Sequence, residues 1–360
     1  MDAPNGQHAK TPAQSAMFAA AVLAALLVTV PVAPPHERVF AAAWAGFCAL
    51  CGFFIIRTGK VSPWRAVFFI TLAAAFILRH KLGLGGPGKA PYCHIAMSAN
   101  ALDFVYQQQL AFSGGWKMWG PLTLGGLWLA ATLVLGQAWC SWACFYGGLD
   151  EGFSRLLPER WRPLRLKIPP PLRDIPAALL ILWLLASLAA MYPLFCLWGC
   201  PLKMTCGFAE TGMAGKIQNA AMIILGVVFI VILPVLSGKR SFCGLICPFG
   251  AWQSFFGRIN PFRVSRDENS CAGCGQCGQT CPVLAIEAAG GKPAITSYCN
   301  RCGRCIDECP HGAISYTVLG RKPPVDARAL LVFCGLAVGG ALGSLFVPGA
   351  LYGLWRLILR

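Results

Sequence analysis

The chain has 360 residues, 56% hydrophobic and only 12% charged, against about 25% charged in an ordinary soluble domain, which argues against a water-soluble globular protein. Thirty Lys and Arg against fourteen Asp and Glu give a formal charge of +16, and on so apolar a chain this marks loops kept on one side of a membrane rather than a nucleic-acid surface. Nineteen cysteines are too dilute for a small disulfide scaffold and too regularly spaced for burial alone.

Apolar runs long enough to cross about 30 Å of hydrocarbon fall at 16–33, 39–56, 64–80, 119–138, 174–193, 218–237 and 328–347, predicting seven spans. The first is preceded only by Lys10 and followed by no clear small-residue cleavage site, so it reads as a helix rather than a signal peptide. With the N-terminus inside, the inner segments hold 21 of the 30 Lys and Arg, including Arg155, Arg160, Arg162, Arg165, Lys167 and Arg173. Basic loops resist translocation, which gives an N-in, C-out orientation in a bacterial-type inner (cytoplasmic) membrane. The expected organisation is two spans in 1–63, two tandem transmembrane hairpins in 64–259, a soluble module at 260–325 facing the cytoplasm, and a last span in 326–360. The fold class is mainly α: a polytopic helical bundle carrying an inserted two-cluster, ferredoxin-like α+β module.

The soluble module contains Cys271-x2-Cys274-x2-Cys277-x3-Cys281-Pro282 and, 28 residues later, Cys299-x2-Cys302-x2-Cys305-x3-Cys309-Pro310. Three thiolates on one tight turn reach three corners of a cubane, and the fourth, displaced by a Pro turn, ligates the partner cluster. Two [4Fe–4S] clusters are therefore expected: cluster A on Cys271, Cys274, Cys277 and Cys309, and cluster B on Cys299, Cys302, Cys305 and Cys281. The pairs Ala285-Ile286 and Ala313-Ile314 are expected to cover them.

Cys140-x3-Cys144 ends the fourth span and Cys243-x3-Cys247 the sixth, 103 residues apart with matching flanks. The same offset carries Tyr92-Cys93 onto Phe195-Cys196, leaving 46 residues between the outer and inner cysteines of each hairpin. Parallel repeats of this kind pack around an axis along the membrane normal. On the inner face Cys140, Cys144, Cys243 and Cys247 could supply four thiolates to one metal centre, since residues three and four apart on a helix are neighbours. On the outer face stand Cys93, Cys196, Cys200 and Cys206, near His94, Met97 and Met204. Three readings of that set stay open: a further iron–sulfur centre, disulfides, or a soft Cu(I) site. Cys48, Cys51 and Cys334 read as core packing. Too few histidines lie within the spans for haem b, and no Walker or dinucleotide-binding motif is present.

Cys243-Gly-Leu-Ile-Cys247-Pro248-Phe-Gly250-Ala, Cys140-Ser-Trp-Ala-Cys144 and the double run 271–310 resemble the membrane polyferredoxins of the NapH, NosR and RdxA/CcoG type. Departures are Phe145 where those proteins usually have Pro, and a third motif, Cys196-Leu-Trp-Gly-Cys200-Pro201. The resemblance implies quinol-linked or accessory electron transfer through cytoplasmic [4Fe–4S] clusters. Together with the stacked cysteine sets it suggests an electron conduit between a cytoplasmic redox protein or the quinone pool and a partner across the membrane, in a quinol dehydrogenase or similar oxidoreductase complex. If a quinone binds, Asp150, Glu151, Asp103 and Glu210 are candidate proton acceptors. The alternative is a maturation factor that reduces a copper or thiol centre of a respiratory enzyme.

Overall fold

The computed structural model describes residues 9–80, 83, 119–166, 169–190, 194–201, 212–289, 292–321 and 326–359. Six helices are long and apolar enough to cross a bilayer: Pro12–Val32, Pro35–Thr58, Ser62–Arg79, Trp128–Ser154, Leu172–Ala190 and Met213–Ser237. A seventh span arises if Ala327–Gly343 and Val347–Ile358, bent by 53° at their break, are taken together. The molecule is mainly helical, compatible with a multi-pass membrane protein, and carries a small β portion.

The helices start and stop where the sequence supplies caps. Thr11 and Gln14 close a reciprocal capping box ahead of α1 (Pro12–Leu27), with Pro12 in the first turn. Left-handed Gly59 ends α2 (Arg38–Thr58), and α3 (Ser62–His80) follows at once. The fourth span differs from the straight rod expected. Helix α4 (Trp119–Leu135) gives way to a tight 3-10 turn at Gly136–Ala138 and a single helical turn, Trp139–Trp142. The chain then reverses at Cys144 into α5 (Phe145–Ser154). Phe145 stacks on Phe76 at 3.9 Å while Arg155 Nη2 donates to Ser62 Oγ at 2.8 Å. Helix α5 therefore runs antiparallel to α3 and returns the chain to the start of that helix.

What lets the 139–144 segment into the bundle is a glycine ridge on α11 (Ala327–Gly343). A Cβ at Gly335 would lie 2.4 Å from the Trp142 ring, and one at Gly339 would lie 2.3 Å from the Trp142 carbonyl oxygen. Small residues at a helix seam permit this approach. Trp44 Nε1 donates to the Gly340 carbonyl at 2.8 Å, fastening α2 to the same ridge. Helices α6 (Ile175–Ala190) and α7 (Met213–Ser237) instead expose Ile181, Leu182, Leu185, Ile217 and Ile224, the pattern of helices solvated by hydrocarbon.

After α8 (Pro248–Gly257) the chain enters the cysteine-rich module. Strand β1 (Phe262–Arg266) pairs antiparallel with β4 (Ile314–Val318), Val264 opposite Tyr316. Strands β2 (Ile286–Ala289) and β3 (Lys292–Ile295) form a hairpin, and α9 (Gln276–Thr280) and α10 (Arg304–Asp307) each follow a cysteine turn. Polar contacts dock the module on the bundle. Asp307 accepts from the backbone N–H groups of Val61 (3.2 Å) and Ser62 (2.6 Å), capping α3 from outside. Arg65 Nε donates to the Cys302 carbonyl at 3.0 Å, Arg301 Nη1 to Leu135 O at 2.7 Å, and Asn260 Nδ2 to Leu133 O at 2.7 Å. Asp307→Ala removes the acceptor from two helix-end donors, so it should cost about 1 kcal/mol and lower the melting temperature in detergent. Asp307→Asn, which keeps one acceptor, should lose less.

Candidate iron–sulfur centres

In the module, left-handed Gly275 (φ 72°) and Gly303 (φ 82°) hold the same position in the two cysteine runs, between the second and third cysteines. The backbone must turn there to bring successive thiols to one side, a conformation that favours glycine. A Cβ at Gly303 would also lie 2.6 Å from the Tyr316 hydroxyl. Ala285, Ala313 and Ile314 are 2–3% exposed and Ile286 is half-buried, so these residues shield the cysteine turns as expected.

Burial and neighbouring thiols raise several of the module's cysteines. Burial pushes Cys281 up to about 11, with the charge of Cys302 next, and Cys299 up to about 12, with Cys281 next. Cys305 is raised by burial and then by Cys299, Cys302 and Cys281. Cys277 is raised by burial and feels Cys271 and Cys274 instead. Iron must therefore displace thiol protons as it binds. Cys274 is exposed and Cys271 half-buried, whereas the Cys281, Cys302, Cys305 side is buried. The Cys271–Cys274 end of the first run is thus the more exposed, while Cys277 and Cys309 are buried with Cys281, Cys302 and Cys305.

Cys140, Cys144, Cys243 and Cys247 line one cavity. The two halves of the repeat meet there: Gln137 Nε2, ahead of the first motif, donates to the Gly250 carbonyl behind the second at 2.9 Å. The cavity wall also includes Val283, Tyr298 and Asn300 from the cluster B loops, and Cys243 packs with Tyr298 and Cys299 against Cys281, Val283 and Ala285. Among the described residues no three His, Cys, Asp or Glu side chains close on a single-ion site. The donor set suits a cubane, which spreads four thiolates over its corners. Two cavity-lining amides, Asn300 Nδ2 and Gln253 Oε1, are buried without a hydrogen-bond partner, an arrangement that a bound polar group would resolve.

Beside the cavity lies a buried charge network that sequence reasoning missed. Glu151 Oε1 accepts from Arg65 Nη2 at 2.8 Å and Arg155 Nε at 2.7 Å, and Oε2 lies 3.7 Å from Arg240 Nη1. Arg65 and Arg240 each hold the guanidinium 5.7 Å from the Phe69 ring centroid. Asp150 Oδ2 accepts from the Cys243 N–H at 2.9 Å. Asp150 and Glu151, expected at an open helix end, are 0% and 1% exposed because α5 folds back along α3. The only early signal was their position directly after the first motif.

Of the four outer cysteines, Cys200 is the one whose side chain is described. Cys93, Cys206, His94, Met97, Met204, Asp103 and Glu210 lie outside the described residues, and Cys196 is placed only through its backbone, in the turn Phe195–Gly199. Cys200 does not stand apart from the inner cysteines. It is buried and within 3.0 Å of the hydroxyl of Tyr146, a residue that lines the inner cavity. The chain after α6 folds inward: Phe195 packs edge-on to Phe249 at 5.7 Å, and a Cβ at Gly226 would lie 3.0 Å from Pro201 Cβ. Cys144 (φ −76°, ψ 116°), Cys200 (−84°, 117°) and Cys247 (−73°, 110°) share one backbone conformation at the end of a helical turn. The aromatic-Cys-x3-Cys pattern at 139–144, 195–200 and 242–247 was the signal for this kinship. Cys48 and Cys51 are buried in α2, in the bundle core.

Two family models match this arrangement. One, described as a 4Fe-4S binding domain, matches residues 118–168 and 219–266, one segment for each inner motif. The other, a 4Fe-4S dicluster domain, matches 263–310. The chain carries 4Fe–4S ferredoxin-type domains, as the membrane polyferredoxins do, and is an iron–sulfur electron-transfer protein. Among curated proteins it is similar to YccM of Escherichia coli, named as a candidate electron transport protein, at 25% identity over 241 residues, 63% of this chain and 64% of that one. It is also similar to MauN of Paracoccus denitrificans, a methylamine utilization ferredoxin-type protein, at 27% over 201 residues, 52% and 65% of the two chains. The MauN protein of Methylobacillus flagellatus is 44% identical over 45 residues, 12% of this chain and 16% of that one. The matches span less than two thirds of the length of these three relatives. No solved structure matches.

Glu151→Gln leaves two buried guanidinium groups, Arg65 and Arg240, and the partly exposed Arg155 without their shared carboxylate. Breaking one side of a buried ion pair costs about 3–5 kcal/mol, so this variant should show a large fall in melting temperature, whereas Glu159→Gln, in the exposed loop, should show none.

Proposed function

We propose that the chain relays electrons through three iron–sulfur centres in series: cluster A on Cys271, Cys274, Cys277 and Cys309, cluster B on Cys281, Cys299, Cys302 and Cys305, and an inner centre on Cys140, Cys144, Cys243 and Cys247. The observation that carries this reading is the single cavity lined by the four inner cysteines, whose wall includes Asn300 and Tyr298 from the loops of cluster B. Each 4Fe–4S group, when bound, supplies one-electron transfer without proton chemistry of its own. The protein holds the thiolates, excludes water with Val283 and Phe249, and offers the Asn300 amide and the Ala285 N–H, which donates to Cys281 Sγ at 3.3 Å.

The exposed Cys274 end of cluster A is the natural point of exchange with a soluble redox protein, and the buried inner centre faces the bundle. The basic inner loops support a cytoplasmic position for the module in a bacterial-type inner membrane. Tyr146 and Cys200 then extend the line away from the module, toward a quinone or a protein partner on the far side.

Iron and acid-labile sulfide, measured on anaerobically purified protein, test the count. Three cubanes give about twelve irons per chain and two give about eight. Wild type should carry about twelve, and Cys140→Ser with Cys243→Ser should lower this to about eight with the signals of clusters A and B intact. Eight irons in the wild type would contradict the inner centre.

A further inference from the structure

We infer that Arg240 is a positioning residue that holds up the reduction potential of the inner centre by keeping a fixed positive charge against Cys243. The inference rests on the reading of Cys140, Cys144, Cys243 and Cys247 as that centre's ligands. Arg240 is 0% exposed, and its Nη2 lies 3.3 Å from Cys243 Sγ and 2.7 Å from the Cys140 carbonyl oxygen. The guanidinium is fixed from every side: Nη1 faces Glu151 Oε2 at 3.7 Å and Ser141 Oγ at 3.5 Å, and the plane lies over Phe69. Gly147 leaves the gap it occupies, since a Cβ there would stand 2.4 Å from Nη2.

The repeat separates the charge of this side chain from its structural task. Gln137 stands 103 residues before Arg240, at the same place ahead of its motif. Each reaches across the seam to a backbone carbonyl of the opposite half, Gln137 to Gly250 and Arg240 to Cys140. A neutral amide therefore suffices for the hydrogen bond across the seam, and the charge at 240 serves the two groups beside it, Glu151 and Cys243. Arg65 and Arg155 share Glu151 at short range, while Asp150 accepts from the Cys243 N–H and opposes the Arg240 charge in part. Arg240 Nη2 is in contact with Cys243 Sγ, a ligand sulfur of the inner centre. When one electron passes from cluster B to the inner centre, no bond forms or breaks, and the centre gains one negative charge. A cation held in a low-dielectric site stabilises that added charge, so the potential rises and electrons are drawn inward from the module.

The test is a potentiometric titration of the full-length protein in detergent, followed by electron paramagnetic resonance, for wild type, Arg240→Gln and Arg240→Lys. Arg240→Gln should shift the inner midpoint to lower potential, Arg240→Lys should restore part of it, and the midpoints of clusters A and B should stay in place. Wild-type protein labelled with 15N at the arginine guanidinium gives a readout that needs no variant to fold: hyperfine coupling from an arginine nitrogen should appear on the inner signal, from Arg240 beside Cys243, separately from any on cluster A, where Arg266 bonds to Cys271. About twelve irons with an unmoved midpoint, or with no arginine coupling on the inner signal, would overturn the inference while leaving the relay standing. About eight irons in the wild type would remove the inner centre and the inference with it.

Discussion

The structure depends on one buried carboxylate. Glu151 gathers guanidinium groups from the start of α3, from its own helix and from the segment ahead of the second cysteine motif. Arg65 extends the same network to the Cys302 carbonyl in the module. Burying charge is expensive, and such networks seldom add net stability over an apolar core. What this one supplies is placement, because it fixes the two halves of the repeat and the module around the inner cavity. Moving any one element away would strand a charge.

Packing follows from that requirement. To reach the seam, the segment 139–144 must enter between α3 and α11, and the glycines of α11 give it room against Trp142. Helices α6 and α7 carry no such burden on their outer faces and present branched aliphatic side chains outward. Cys274 lies exposed in the module, while Cys281 and Cys299 pack with Cys243, which lines the inner cavity.

Much of this was legible in the sequence because it is written in spacing. Hydrocarbon thickness dictates run length, so the spans could be read, and the two Cys-x2-Cys-x2-Cys-x3-Cys-Pro runs announce their turns. The 103-residue offset brought Cys140, Cys144, Cys243 and Cys247 together before any coordinates, and they line one cavity. The same offset paired Cys196 and Cys200 with Cys93 and Met97, which lie outside the described residues, whereas the aromatic-Cys-x3-Cys pattern links them to the inner motifs. Arg65, Arg240 and Glu151 were opaque for a different reason. Most of their partners lie 76 residues or more away, and an acidic pair following a motif looks the same in sequence whether the helix bearing it projects outward or folds back.

The central claim is that cluster B lies on the only route from cluster A to the inner centre. Stopped-flow reduction by a membrane-impermeant donor on the module side, with freeze-quenched electron paramagnetic resonance of Cys281→Ser, tests it most directly. The account predicts that cluster A still reduces promptly in this variant while the inner centre stays oxidised. Reduction of the inner centre at the wild-type rate without cluster B would contradict it.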